Sequence, residues 1–210
     1  MKRHLLVLAA SGAAWSIVVA LGSLALLMYE DAPGHAGAAP ARWPDGSQVP
    51  RAADRPTLVM FAHPRCPCTR ASVGELALLM ARSQGLVSAW VLFSKPKDFP
   101  PGWEATDILA SAAAIPDVHA ECDEGGAEAA RFHATISGQT LLYAVDGRLL
   151  FDGGITASRG HSGDNAGRTA IVSLLTQGRA DRTRTFAFGC SLLDPQRPCH
   201  EGVDRCISEQ

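Results

Sequence analysis

A short cysteine motif between an apolar run and a helix-like run constrains the fold of this chain more than any other feature. The apolar run covers residues 57–62, the motif His63-Pro-Arg-Cys-Pro-Cys68 follows, and residues 69–82 have helical spacing. A helix N-terminus presents unpaired N–H groups and the positive end of a dipole, and both favour a thiolate. The pattern therefore predicts a strand, a reactive thiol site and a helix with Pro67 in its first turn. The alternative interpretation is two small buried cysteines.

Residues 5–28 contain no charged side chain and are long enough to span a bilayer as a helix. Lys2 and Arg3 precede this run and acidic residues follow it, so the positive-inside rule places the N-terminus in the cytoplasm and the rest of the chain outside. The alternative is a cleaved signal peptide with a small-residue site at 36–38, but the run is longer than the usual signal-peptide core. We expect an uncleaved anchor.

The charge balance and the cysteine count narrow the function further. The chain has 19 Lys and Arg against 21 Asp and Glu, and with Lys2 and Arg3 set aside the remaining chain has a net charge of −4. No basic stripe is present, so we expect no nucleic-acid partner. The chain contains six cysteines, and an exported domain would keep them in an oxidising compartment where disulfides persist.

Composition divides the chain into four predicted segments. They are a transmembrane anchor (1–29), a flexible linker rich in Ala, Pro and Gly (30–55), a folded domain (56–178) and a cysteine-containing C-terminal tail (179–210).

Periodicity and turn residues predict the elements of the folded domain. The predicted strands are 57–62, 87–93, 118–122, 140–145 and 148–152, and the predicted helices are 66–83, 104–114, 127–134 and 164–177. Asp146-Gly147 predicts a hairpin between the last two strands, and Ser162 or Asp164 is the expected cap of the last helix. This order indicates an α/β fold, with a central mixed sheet between two layers of helices.

Two stretches of residues resemble the thioredoxin-like superfamily. Phe61 and Cys66 have the spacing of its active-site strand and first cysteine, and residues 132–143 resemble the segment that carries its cis-proline. The resemblance covers about residues 56–177 and implies a thioredoxin-like fold. The motif together with Gly-Gly-Ile-Thr-x-x-Arg-Gly-His at 153–161 more narrowly resembles a RedB-like group of small bacterial membrane-anchored proteins, which implies an inner-membrane protein with its domain in the periplasm.

Two positions depart from the superfamily pattern. Thr69 stands where the second cysteine of Cys-x-x-Cys would be, so Cys68 comes one residue early. Gly138 stands at the cis-proline position. The resemblance implies that this proline shapes the loop beside the thiols, so its loss removes a barrier to a metal or an unusual ligand next to Cys66.

Thiol–disulfide exchange with protein thiols and disulfides of the periplasm is the first functional hypothesis. Cys66, exposed at the helix start, would attack a partner disulfide, and Cys68 would resolve the mixed disulfide. Arg65, Arg70 and the helix N-terminus would hold the thiolate of Cys66. A Cys-Pro-Cys disulfide closes a small ring, so we expect strain and an oxidising or isomerising role.

Metal binding is the second hypothesis, in which the protein carries a metal. His63, Cys66 and Cys68 offer one imidazole and two thiolates, a set that suits Cu(I) or Zn, with His161 as a fourth ligand. The alternative role for His63 is a hydrogen bond that caps the strand end. Exchange requires no cofactor.

Peroxidase-like chemistry is the third hypothesis. Cys66 would attack peroxide, Cys68 or a cysteine of the tail would resolve the oxidised sulfur, and Thr69 and Arg168 would be polar helpers. The loop 153–163 is expected to place a polar rim near Cys66, or else to form the capping network of the last helix. The residues of this predicted rim are Arg159, His161, Asp164, Asn165 and Arg168.

The other four cysteines are Cys122, Cys190, Cys199 and Cys206. Their spacings lack the paired Cys-x-x-Cys of zinc sites, so we expect a disulfide that ties down the tail, with three pairings open. Cys122 is expected to be buried or to pair with the tail.

Overall fold

The computed structural model describes residues 2–97 and 99–192. The strands are β1 (Thr57–Ala62), β2 (Ser88–Lys95), β3 (Val118–Glu124), β4 (Gln139–Tyr143) and β5 (Leu149–Gly154). The helices are α1 (Lys2–Glu30), α2 (Pro67–Arg82), α3 (Asp107–Ala113), α4 (Ala127–Arg131) and α5 (Ala166–Gln177).

The five strands form one mixed sheet in the order β3-β2-β1-β4-β5. β1, β2 and β3 are parallel and joined through helices, whereas β4 and β5 form an antiparallel hairpin beside β1. Every residue of β1 is buried because this central strand is covered on both faces. Two strand–helix–strand units, a hairpin and a final helix give the predicted thioredoxin-like fold.

Side-chain alternation along β1 divides the core between the two faces of the sheet. Leu58 and Met60 face a cluster that includes residues of α2, α3 and α5, whereas Val59 and Phe61 face a second cluster with Phe132. The end of β1 and the start of α2 therefore rest on packed side chains on both sides of the sheet.

The segment predicted to be a flexible linker packs on the second face. Trp43 makes edge contacts with the rings of Phe132 and Tyr143, at centroid distances of 5.1 and 5.2 Å. The Tyr143 hydroxyl donates to the carbonyl of Pro40 at 3.0 Å, and the Gln139 amide donates to that of Gly37 at 2.8 Å. The linker prediction is wrong here because these contacts fix the backbone against the sheet.

α1 is long and apolar enough to cross a membrane, and its large apolar side chains are exposed. This finding matches the predicted apolar helix at residues 5–28. At its end, the carbonyl of Glu30 accepts a hydrogen bond from the Arg159 N–H at 3.0 Å, and the Arg159 guanidinium lies 5.0 Å from the Tyr29 ring centroid. The apolar helix thus ends beside the loop that follows β5.

Side-chain caps explain why two helices begin later than predicted. Thr106 caps α3 by accepting from the N–H of Leu109 at 3.4 Å. Asn165 caps α5 by accepting from the N–H of Arg168 at 2.7 Å. The predicted cap by Ser162 or Asp164 is therefore wrong.

Candidate thiol site

Cys66 lies at the junction between β1 and α2, as the motif predicts. It is the N-cap residue of α2 in an extended conformation, and Pro67 follows at the first helical position. The expectation of an exposed Cys66 is wrong, since only 1% of its surface is accessible.

Cys190 is the neighbour that the sequence analysis missed. Its Sγ lies 2.9 Å from the Sγ of Cys66, although the two residues are 124 positions apart. Both are free thiols, and Cys190 is exposed. The expectation that all four other cysteines lie outside the site is therefore wrong for Cys190.

Backbone pairing holds Cys190 over Cys66. The carbonyl of Cys190 accepts from the N–H of Ser137 at 2.8 Å, and the N–H of Leu192 donates to the carbonyl of Thr135 at 2.9 Å. Ile136 and Ser191 form an antiparallel bridge between these bonds. A short strand-like segment, residues 188–192, therefore lies along residues 135–137.

Two glycines allow this close approach. A Cβ on Gly189 would overlap the backbone carbonyl of Ser137, so only glycine fits between the two segments. Gly138 has φ +88, and its N–H donates to the carbonyl of Phe61 at 2.7 Å. Gly138 thus binds the end of β1 in a conformation that favours glycine.

Thr69 ties the motif to the loop that supports Cys190. Its hydroxyl donates to the carbonyl of His63 at 2.9 Å and lies 2.6 Å from the Ser137 hydroxyl, which accepts from the His63 N–H at 2.9 Å. Thr69 is fully buried. Its contacts join the motif to the loop that contains Ser137, and its role as a polar helper in peroxide chemistry stays a prediction.

The surroundings of Cys66 strongly favour its thiolate. A hydrogen bond from the Cys190 thiol, together with backbone N–H groups of Cys190, Thr69 and Cys68, lowers the pKa of Cys66 to about 4 against the opposing effect of burial. The pKa of Cys190 is raised, first because its thiol donates that hydrogen bond and then by burial. Burial and the Cys66 charge raise the pKa of Cys68. One thiolate thus lies beside two protonated thiols.

The arginines near the motif have other partners. Arg65 lies over the ring of Trp103, at 5.3 Å from its centroid, and Arg70 forms an ion pair with Asp107 at 2.7 Å. Both arginines thus contact groups other than the thiol, and their effect on the thiolate stays a prediction. Backbone N–H groups at the start of α2 lower the pKa of Cys66, as expected for a helix N-terminus.

Arg159 is the member of the predicted polar rim that reaches the site. Its guanidinium donates to the carbonyl of Gly189 at 2.8 Å. Its positive charge opposes the rise that burial causes in the pKa of Cys68, and it acts in the same direction at Cys190. Arg159 therefore supports the position of Cys190 and opposes the rise in the pKa of both Cys68 and Cys190.

Three residues of the predicted rim, Asp164, Asn165 and Arg168, lie at the start of α5. Arg168 forms a buried ion pair with Glu75 and a second one with Asp164 at 3.1 Å. The Asn165 amide donates to Glu75 at 3.0 Å. This arrangement is a capping and ion-pair network, the alternative given for this loop, and the peroxidase role of Arg168 stays a prediction.

The predicted metal ligands do not converge. His63 accepts from the Arg65 N–H at 3.2 Å, and burial lowers its pKa. His161 is exposed and lies 3.9 Å from a carboxylate oxygen of Glu30. Within residues 2–97 and 99–192, no three His, Cys, Asp or Glu side chains form a group that could hold a metal ion.

Cys122, one of the four cysteines outside the motif, is exposed on β3. Its prediction as a buried residue is therefore wrong. Cys199 and Cys206 lie outside the described residues.

Comparison with known proteins supports the fold. No family model and no curated protein matches the sequence. An uncharacterized conserved protein from Geobacillus kaustophilus is similar, with 21% identity, a TM-score of 0.57 and coverage of 79% of this chain and 94% of that one. The hypothetical protein SMc02350 from Sinorhizobium meliloti 1021 is similar too, with 19% identity and a TM-score of 0.57. The match covers 77% of this chain and 93% of that one. At these identities the likeness is one of fold.

Proposed function

We propose that the chain is a membrane-anchored thiol–disulfide exchange protein whose reactive sulfur is Cys66. The observation that supports this function is the position of Cys66, which is buried at the start of α2 with the Cys190 Sγ 2.9 Å from its own sulfur. These surroundings lower the pKa of Cys66. A thiolate is the form that attacks a disulfide, and a stabilised thiolate is also a good leaving group.

The stabilised thiolate favours an oxidising or isomerising role. Groups that stabilise the reduced form of a dithiol make its disulfide a stronger oxidant, because reduction releases the stabilised thiolate. The partners would be thiols and disulfides of periplasmic proteins, with α1 as the inner-membrane anchor and the N-terminus in the cytoplasm. This assignment agrees with the resemblance to the RedB-like group.

In this proposal Cys68, the second thiol of the cysteine motif, is a neighbour of the reactive sulfur. It lies in the first turn of α2 and is buried beside the Cys66 thiolate. Exchange at Cys66 does not depend on which neighbouring thiol closes the internal disulfide.

An exchange assay on the full chain in detergent tests this function. The oxidised protein is mixed with a reduced dithiol peptide, and formation of the peptide disulfide is followed by mass. We expect Cys66→Ser to reduce the rate to that of the buffer, because it removes the reactive sulfur. Cys122→Ser is the matched control, since Cys122 is exposed on β3, and it should keep the wild-type rate. Wild-type exchange in Cys66→Ser would contradict the proposal.

A further inference from the structure

We propose that Cys190 is the redox partner of Cys66, and that it is the sulfur which a partner protein attacks. This inference rests on the proposed exchange at Cys66 and assigns its second catalytic residue. The motif cysteine Cys68 is then a neighbour of the disulfide and not a member of it.

The first argument is position. The Sγ atoms of Cys66 and Cys190 are already 2.9 Å apart, and a disulfide requires about 2.05 Å. The backbone bonds on both sides of Cys190 fix its approach, and Arg159 holds the carbonyl of the preceding residue at 2.8 Å. Disulfide formation therefore needs a movement of about one ångström, within a segment that is already paired.

The second argument is access. Only 1% of Cys66 is accessible to solvent, whereas Cys190 is exposed. A partner thiolate can therefore reach the Cys190 end of a Cys66–Cys190 disulfide without displacing the 188–192 segment. Cys68 is buried, so a Cys66–Cys68 disulfide would have both sulfurs buried.

The third argument is the leaving group. Attack on the Cys190 sulfur breaks the Cys66–Cys190 bond and expels Cys66 as a thiolate beside the backbone N–H groups of Cys190, Thr69 and Cys68, which favour its ionised form. Attack on the Cys66 sulfur would expel Cys190, which has no comparable set of donors. Thiols of low pKa leave faster, so the exposed sulfur is also the chemically favoured target.

The complete step is balanced with a partner dithiol as the reductant. The first partner thiolate forms a mixed disulfide with Cys190 and releases the Cys66 thiolate. The second partner thiolate then attacks the partner sulfur of that mixed disulfide and releases Cys190, which takes up a proton. The partner loses two electrons and two protons and forms a disulfide, while the Cys66–Cys190 disulfide gains the two electrons. One proton stays on Cys190 and the other goes to solvent.

Peptide mapping distinguishes the two disulfides. The full chain in detergent is equilibrated with oxidised glutathione, free thiols are alkylated, and the protein is cut with trypsin. Cys66 and Cys68 share peptide 66–70, whereas Cys190 lies in peptide 185–205, which also contains Cys199. We expect these two peptides to be cross-linked in the wild type, in Cys68→Ser and in Cys199→Ser, and separate in Cys190→Ser. If peptide 66–70 is instead found uncross-linked and two hydrogens lighter than its dithiol form, it contains a Cys66–Cys68 disulfide. That result would overturn the inference.

The exchange assay separates failure of this inference from failure of the proposed function. Cys190→Ser should slow oxidation of the dithiol peptide at least about tenfold, and by more than Cys68→Ser does. If Cys66→Ser is inactive but Cys190→Ser is not slowed, exchange at Cys66 stands and the role of Cys190 is wrong. If Cys66→Ser remains active, the proposed function itself fails.

Gly189→Ala tests the positioning of Cys190 without removing a thiol. The added Cβ would overlap the Ser137 carbonyl and push the 188–192 segment away from Cys66. We expect less of the cross-linked peptide pair at a given glutathione ratio, and a raised pKa of Cys66. Gly74→Ala is the matched control, because a Cβ there meets no atom within 4 Å. Unchanged cross-linking in Gly189→Ala would contradict the role of this contact.

Discussion

The thiolate of Cys66 in the reduced full chain is expected to persist down to about pH 4. The pKa of Cys66 is lowered to about 4, chiefly by the hydrogen bond from Cys190. At pH 6 nearly all Cys66 would then be ionised, compared with under about one per cent for an ordinary cysteine of pKa about 8.5, a difference of more than a hundredfold. The ultraviolet absorbance of thiolates is titrated in the wild type and in Cys66→Ser, and the wild-type curve minus the variant curve measures this midpoint.

Two substitutions at Cys190 identify the source of this shift. Cys190→Ala removes the side-chain donor, so the midpoint of the Cys66 titration should move to higher pH. Cys190→Ser keeps a hydroxyl donor at the same place and should retain more of the lowered pKa. Identical midpoints in the wild type and Cys190→Ala would show that the backbone N–H groups alone stabilise the thiolate.

The same titration gives the sign of a pH effect on stability. A pKa that is lower in the folded chain than in the unfolded chain stabilises the folded state above the unfolded pKa, and this contribution is lost as the pH falls towards the folded pKa. The reduced chain should therefore lose stability between about pH 9 and pH 4. A chain with the Cys66–Cys190 disulfide has no thiolate there and should lack this part of the pH dependence.

The sequence predicted the half of the site that is local. β1, the cysteine motif and α2 are consecutive, so apolar alternation and the proline at the first helical position were sufficient to place Cys66 at the strand–helix junction. The position of Gly138 beside this junction came from the resemblance, and the structure agrees with it. The pattern of residues within one segment does not show which distant segment of the chain covers that site.

Cys190 was missed because its placement depends on pairing over a long sequence separation. Residues 188–192 have no helical or strand periodicity of their own, and they are fixed by backbone pairing with residues 135–137 and by the contact with Arg159. The available signal was Gly189, a residue without a side chain directly before a cysteine. The prediction of a flexible linker at residues 30–55 is wrong for a related reason. It depends on the Ala, Pro and Gly content of the segment, whereas Trp43 and Val49 pack into the second core cluster.

Arg168→Met is expected to destabilise the folded domain by about 3–5 kcal/mol, because it leaves a buried carboxylate without its cationic partner. The side chains of Glu75 and Arg168 are only 1% and 3% exposed. Glu75 also accepts from the Gly163 N–H at 2.7 Å and from the Asn165 amide at 3.0 Å. The pair thus joins α2 to the loop before α5, and urea unfolding of the full chain in detergent, followed by tryptophan fluorescence, measures its loss.

Matched variants separate the buried ion pair from a general effect of removing an arginine. Arg148 forms a pair with Asp146 at 3.9 Å in which both side chains are about two-thirds exposed. Arg148→Met should therefore cost less than about 1 kcal/mol. In the double variant Glu75→Gln/Arg168→Met no charge is left buried, so it should be more stable than Arg168→Met alone. Equal destabilisation by Arg168→Met and Arg148→Met would show that the Glu75 carboxylate is compensated by its neutral donors, and that α2 and α5 are held together mainly by apolar packing.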